Sequence, residues 1–183
     1  MSTSEFDPAS AWVCEAAVAA DTADIVALVN GAYRGDSGRV GWTTESELLD
    51  GQRTDAAEIG ALIDAPGNVI LVLRGAQGLV GSVHLEQRAD LVCYLGMLTV
   101  RPALQDAGVG RRLLAAAEEH ARRHFGARCM EMTVIDLRTE LIAWYERRGY
   151  ARTGEVRPFP YGNRRNGLPR RDDLRFTVLR RAL

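Results

Sequence analysis

Tyr94-Leu-Gly-Met-Leu-Thr-Val100, followed after a short loop by Gln105-Asp-Ala-Gly-Val-Gly-Arg-Arg-Leu-Leu114, decides how the chain is read. The first run is rich in β-formers and predicts a buried strand, which Pro102 ends because proline cannot donate to a ladder. The second sets two glycines, Gly108 and Gly110, one residue apart at the entry to a helical pattern. Small residues let a ligand approach the backbone closely, and a helix start presents N–H groups that have no intrahelical acceptor. Together they form an anion site whose commonest occupant is phosphate. Arg111 and Arg112 add positive charge to the first turn, where the helix dipole alone prefers acids, so a bound anion relieves a local cost.

Two familiar phosphate motifs fail on single residues. A P-loop needs a lysine after its second glycine, and all 23 basic residues of this chain are arginine. A dinucleotide fingerprint needs a third small residue three positions after the second glycine, where Leu113 stands. What remains is Gln-x-x-Gly-x-Gly-Arg leading from a strand into a helix. The alternative on this pattern alone is a tight strand-to-helix turn with no ligand.

The 183 residues suffice for one domain with a proper core, and 46% apolar content with a net charge of −1 describes a soluble globular protein. Residues 1–10 are polar and predict a flexible N-terminus with no signal peptide, ahead of a domain over 11–183. No apolar run reaches membrane length, so a cytoplasmic location is expected. Cys14, Cys93 and Cys129 are odd in number and widely spaced in apolar, strand-like runs, and each is expected as a buried free thiol.

Outward from the central stretch, Trp12 to Ala17 predicts a first strand. Asp21 or Thr22 caps a helix with Ile25, Leu28 and Val29 on its apolar face. Thr44 and Glu47 form a capping-box pair for a short helix ending at Gly51, and Thr54 caps another with Ile59, Leu62 and Ile63 buried. Val69–Leu73 and Leu79–Gln87 read as a hairpin around Gly75-Ala-Gln-Gly78. The helix after the glycine loop turns Leu113, Leu114, Ala117, Ala121 and Phe125 inward, pairs Glu118 with Arg122 and Glu119 with Arg123, and stops at Gly126. Met130–Ile135 should run parallel to the Tyr94 strand because a helix intervenes. A helix over Thr139–Arg148, a strand over Tyr150–Val156 and a final strand over Leu174–Leu179 complete the order.

A second motif is Asp136-Leu-Arg-Thr-Glu-Leu-Ile-Ala-Trp-Tyr-Glu-Arg-Arg-Gly-Tyr150. With the glycine loop and the element order, it resembles the GNAT superfamily of N-acetyltransferases from about Trp12 to the C-terminus. The resemblance implies a single α/β (α+β) domain. Its mixed, mostly antiparallel seven-stranded sheet would contain one splayed parallel strand pair, with helices on both faces. It further implies acetyl-CoA as cosubstrate and no metal. The backbone of Leu98, Thr99 and Val100 would bond pantetheine, with the Leu98 N–H polarising the thioester carbonyl. Amides across Gln105, Asp106, Ala107, Gly108, Val109, Gly110 and Arg111 would cradle the pyrophosphate. Asp136 stands where the family often has Asn; an acid there accepts a pantetheine N–H but cannot donate to a carbonyl.

The implied reaction is direct attack by a primary amine of a small molecule on the thioester, without an acyl-enzyme. Tyr145 matches the family's general acid, since a phenol stays protonated at neutral pH and can protonate a departing thiolate. Its alternative role is ring packing. Many relatives carry a glutamate base on the strand before the glycine loop, and this strand has no acid. Ser82, His84 and Glu86 share a face of the neighbouring strand, which makes Glu86 the candidate base, with His84, Glu131 or a water as alternatives. A non-catalytic acyl-CoA sensing module and an acyltransferase for longer chains are the competing functions.

Acceptor recognition falls to irregular segments, Tyr33–Trp42 and Arg157-Pro-Phe-Pro-Tyr161, with Asp36, Glu45 and Asp50 available to attract a cationic amine. Arg164, Arg165, Arg170 and Arg171 form the densest basic cluster, but without aromatic interleaving or a helical stripe no nucleic-acid partner is expected. An exposed edge strand at the C-terminus offers a surface for a homodimer.

Overall fold

The computed structural model describes residues 12–34, 45, 47–162 and 167–183. Strand β1 (Val13–Ala16) leads to helix α1 (Thr22–Tyr33), a short strand β2 (Leu49–Asp50) and helix α2 (Ala56–Asp64). Strands β3 (Asn68–Gly75), β4 (Gly78–Gln87) and β5 (Val92–Val100) follow as a meander, then helix α3 (Val109–Phe125) and strand β6 (Cys129–Ile135). Helix α4 (Thr139–Glu146) and strands β7 (Ala151–Pro158), β8 (Leu168–Pro169) and β9 (Arg175–Ala182) complete the chain. The main sheet has seven strands in the order β1-β3-β4-β5-β6-β9-β7 and is antiparallel except for β5 against β6.

Strand β3 shows why helices lie on both faces. Its run Val69-Ile-Leu-Val-Leu73 is apolar at every position, and successive side chains point to opposite faces. Ile70 and Val72 pack with Ile25, Val29 and Ile59 of α1 and α2, whereas Leu71 and Leu73 join Leu113, Leu114, Ala117 and Ala121 of α3. Gly81 lets α3 sit close: a Cβ there would lie 2.5 Å from Leu113 Cδ1 and 2.8 Å from the Thr99 carbonyl oxygen.

Several local expectations are corrected. The short helix predicted after Thr44, a residue outside the described ones, is a single turn in which Leu48 and Leu49 N–H both donate to the Glu45 carbonyl. The chain then becomes β2, because β8 from the late loop supplies a strand partner that the local pattern does not announce. Asp55, not Thr54, caps α2, its Oδ1 accepting from the Glu58 N–H at 2.8 Å, while the Thr54 hydroxyl donates to Glu58 Oε2. On α3, Glu119 takes both Arg122 and Arg123, because Glu118 is drawn away by the Tyr150 hydroxyl and by Arg181.

Cys14 is exposed, since β1 is an edge strand that the core leaves uncovered, and Cys129, the first residue of β6, is half-buried; only Cys93 is buried, and burial pushes its thiol up to about 12. The C-terminal strand is not the edge expected of it. Strand β9 lies between β6 and β7, so β7 carries the free edge expected at the C-terminus. No helix among the described residues is long and apolar enough to cross a membrane. The N-terminal segment 1–10 lies outside the described residues.

Candidate active site

The parallel pair opens almost as soon as it forms. Strands β5 and β6 are paired only at Val92–Cys129, Cys93–Met130 and Tyr94–Glu131. Just beyond, the Tyr94 and Thr133 hydroxyls meet across the gap at 2.7 Å. The cause of the divergence lies on the other side of β5. The β4 ladder slips between Ser82 and His84, and Met97 takes a φ of 46°. This is a bulge, which puts an extra residue into β5 and bends it away from β6. Leu98, next in line, is held by the Tyr33 hydroxyl, which donates to its carbonyl at 3.0 Å.

Two cavities flank this opening. The first, about 230 Å³, is lined by Leu98, Val100, the loop residues Gln105, Asp106, Gly108, Gly110 and Arg111, and the α4 residues Trp144 and Tyr145 with Arg148 just beyond. Gly108 adopts φ 82° as the N-cap of α3, a conformation glycine takes without strain. The first intrahelical bond of α3 comes from the Arg112 N–H to the Gly108 carbonyl at 3.0 Å, so the amides before it start the helix without such a bond. Gly110 faces Trp144: a Cβ on it would lie 3.4 Å from the indole.

The surroundings of this cavity suit an anion. Arg111, Arg138 and Arg148 line it against one acid, Asp106. Arg148 stacks on Trp144 at 3.5 Å and donates from Nη1 to the Trp144 carbonyl, but its buried Nε has no partner. Burial and the nearby Arg147 and Arg111 push the Arg148 guanidinium below its ordinary pKa. The residues present therefore fit a pyrophosphate held by loop amides and guanidiniums. Arg112 turns the other way, donating to the Trp12 carbonyl at 2.6 Å.

Of the residues expected around the cosubstrate, Thr99, Ala107, Val109 and Asp136 do not line this cavity. Thr99 is buried and its hydroxyl donates to the Met97 carbonyl; the Ala107 N–H closes a turn onto Leu104; Val109 packs into the core. Asp136 Oδ2 accepts from Arg175 at 2.5 Å, leaving its buried Oδ1 without a partner.

The second cavity, about 340 Å³, shares Tyr33, Leu98, Arg138, Leu141 and Tyr145 with the first and extends to Glu45, Arg53, Glu58, His84 and Phe159. Tyr145 stands at the junction. Its side chain is buried, and its hydroxyl has no hydrogen-bond partner among the described residues. Burial, with a smaller push from Tyr33, raises its pKa well above the ordinary phenol value. Such a group is protonated at every working pH and is free to donate.

The three expected base candidates separate. His84 lines the second cavity, and its Nε2 lies 2.8 Å from Asn68 Oδ1. That contact assigns the ring proton to Nε2, leaving the Nδ1 lone pair beside Gly96. Burial, more than any neighbouring charge, lowers the His84 pKa to about 4. Glu86 is ion-paired with Arg88 at 3.0 Å, and Glu131 lies buried among Arg88, Arg157 and Arg180; neither lines either cavity.

The acids expected to attract a cationic amine are already paired. Glu45 bridges Arg34 at 2.7 Å and Arg138 at 2.8 Å, and Asp50 takes Arg170 at 2.5 Å. Burial alone would raise the Glu45 pKa, but Arg138, Arg34 and Arg53 outweigh it and hold the carboxyl below its ordinary value. Arg171 pairs with Asp173, while Asp36, Trp42, Arg164 and Arg165 lie outside the described residues. Arg53, Arg138, Trp144 and Arg148 were not singled out in the sequence. Only the place of the last three in the Asp136–Tyr150 motif pointed their way.

A family model for the acetyltransferase (GNAT) family matches residues 35–150. No curated protein matches the sequence. Among solved structures, YncA from Salmonella typhimurium, determined with its cofactor acetyl-CoA, superposes with a TM-score of 0.69 at 22% identity, covering 94% of each chain. A GNAT-family acetyltransferase from Staphylococcus aureus Mu50 gives 0.67 at 13% identity over 94% of this chain and 99% of that one. A variant of the spermidine N-acetyltransferase SpeG from Vibrio cholerae gives 0.68 at 15%, covering 94% of each. At these identities the likeness is one of fold.

Proposed function

Because the chain belongs to the acetyltransferase (GNAT) family, we propose that it transfers the acetyl group of acetyl-CoA to a primary amine of a small molecule, by direct attack in a ternary complex. One observation carries this reading. A cavity fit for a pyrophosphate and a second cavity meet at the open edge of β5, with a phenol at the junction that has no hydrogen-bond partner among the described residues.

Acetyl-CoA supplies an activated acyl carbon and a thiolate leaving group. The amides of Gly108 to Arg111 hold its diphosphate, and the β5 edge from Leu98 to Val100 pairs with its amide-bearing arm as an added strand would. The Leu98 N–H stabilises charge on the thioester oxygen as the amine nitrogen forms its bond to carbon and the carbon–sulfur bond breaks. Tyr145 donates its proton to the departing sulfur and is reprotonated from solvent.

For the amine proton we assign the receiving position to His84 Nδ1, directly or through water, in place of Glu86. With a pKa of about 4, His84 is neutral at working pH and a weak base. The acceptor's own ionisation then governs the reaction, and kcat/KM rises with pH toward the pKa of the amine, without an inflection near the ordinary imidazole value.

The reading is tested by calorimetric titration with acetyl-CoA, followed by thiol release with a panel of primary amines. Saturable binding and amine-dependent release are expected. Binding without release on any amine points to a sensing module instead, and no binding to folded protein removes the assignment.

A further inference from the structure

The second cavity is unusual for a chamber that must receive an ammonium group: among the described residues its carboxylates do not outnumber its guanidiniums. Among the described residues its walls carry Arg53 and Arg138 against Glu45 and Glu58, and the buried side chain of Arg34, 6% exposed, lies directly behind Glu45. Two guanidiniums thus face two carboxylates, and a third, Arg34, stands behind the wall and draws on Glu45. Glu45 spends both oxygens on Arg34 and Arg138, and Glu58 Oε2 accepts from the Thr54 hydroxyl. Arg53 is different. It stands just before α2, half-buried, with its guanidinium 5.8 Å over the Tyr33 ring, and its side chain has no hydrogen bond or ion pair to any described residue.

A guanidinium on the wall of a partly desolvated cavity, close enough to Glu45 to lower its pKa but hydrogen-bonded to no described carboxylate, is suited to bidentate recognition of a planar anion. We propose that Arg53 anchors the acceptor through a carboxylate, so that the molecule acetylated is an amino carboxylate, a small zwitterion of the amino-acid type. Its carboxylate rests at the Arg53 end and its amine reaches toward Leu98 and Tyr145. Arg138, held by Glu45, stiffens the wall between the two cavities. The proposal takes the amine as the reactive group from the acetyl-transfer reading, but the anion anchor is read by binding alone.

The experiment is calorimetry on the folded protein, with and without saturating CoA, using amino acids and their matching carboxamides as paired probes. At least one amino acid should bind ten-fold or more tightly than its amide. Arg53→Gln should remove most of that ratio while leaving CoA affinity within two-fold, and Arg53→Lys should restore part of it. Equal or tighter binding of the amides, a ratio that survives Arg53→Gln, or no amino acid bound at tens of millimolar overturns the proposal. If carboxylates are preferred but never acetylated, the transfer reading fails and the anchor stands. If amines lacking a carboxylate are acetylated with no preference between the pairs, the anchor fails and transfer stands. Should CoA itself not bind, the titration without CoA still decides.

Discussion

The two cavities that meet at Tyr145 are built in opposite ways. The glycine-loop cavity takes most of its wall from one short segment, residues 105–111, and from α4 in the motif that follows β6. Its working groups are main-chain amides placed by two glycines. The second cavity collects side chains from α1, the residues before α2, β4, β5, β6, β9 and the Phe159 loop, and its charges are held by a three-member network centred on Glu45. A backbone-built site tolerates loss of a side chain and fails when one is added. A side-chain-built site fails when a single partner is removed, because the others are left buried and unpaired.

The sharpest break in that contrast is Glu45→Leu. It strips the counter-charge from Arg34 and Arg138, whose side chains are 6% and 9% exposed. Removing one member of a buried ion network costs about 3–5 kcal/mol, so urea unfolding should show a loss of that size. A loss below about 1 kcal/mol would mean that the network does not hold the acceptor wall together.

His84 comes next. Its folded pKa of about 4 lies below the ordinary 6.5, so the unfolded chain binds the proton that the folded chain refuses. Stability therefore falls as pH drops from 6.5 through about 4, by up to about 3 kcal/mol, and His84→Gln should flatten that part of the profile relative to the parent. Parallel profiles for the two proteins would show that the imidazole is not desolvated.

Tyr145→Phe keeps the ring between the cavities and removes only the hydroxyl that carries the proton. A loss of turnover of about 10–100-fold with unchanged acetyl-CoA affinity is expected, as for a missing general acid. Unchanged turnover would reassign the residue to packing. The smallest effect tests the backbone-built half. Gly110→Val fills the space before Trp144 and should weaken CoA binding about ten-fold, without altering amino-acid binding in the other cavity. Equal damage to both ligands would show that the cavities are not separable.

The same contrast explains what could be read from the sequence. The strand–loop–helix unit, the hairpin around Gly75–Gly78 and the parallel β5–β6 step were legible, because each is written in local periodicity, turn residues and the length of the intervening helix. Gln105, Asp106, Gly108, Gly110, Arg111 and Tyr145 were singled out in the sequence and line the first cavity, while Ala107 and Val109 do not. The β2–β8 ribbon was not legible, since neither strand has a pattern of its own and each exists only because the other arrives from more than a hundred residues away. Nor was the fate of the acids. Glu45, Asp50, Glu86 and Glu131 look available in the sequence, but each is claimed by arginines, most of them distant in the chain.

By itself the sequence determined the order of the main-sheet strands and longer helices and the place of the glycine loop, since these depend on interactions within a few residues: hydrogen-bond periodicity, proline and glycine dihedral limits, and the amides of a helix start. Only the tertiary structure decided which charges remain available. Pairing a carboxylate with a guanidinium depends on distance and burial between segments that meet only in the folded chain. That is why His84 ends on the cavity wall while Glu86 does not, and why the Arg53 side chain faces the second cavity without a hydrogen bond or ion pair among the described residues.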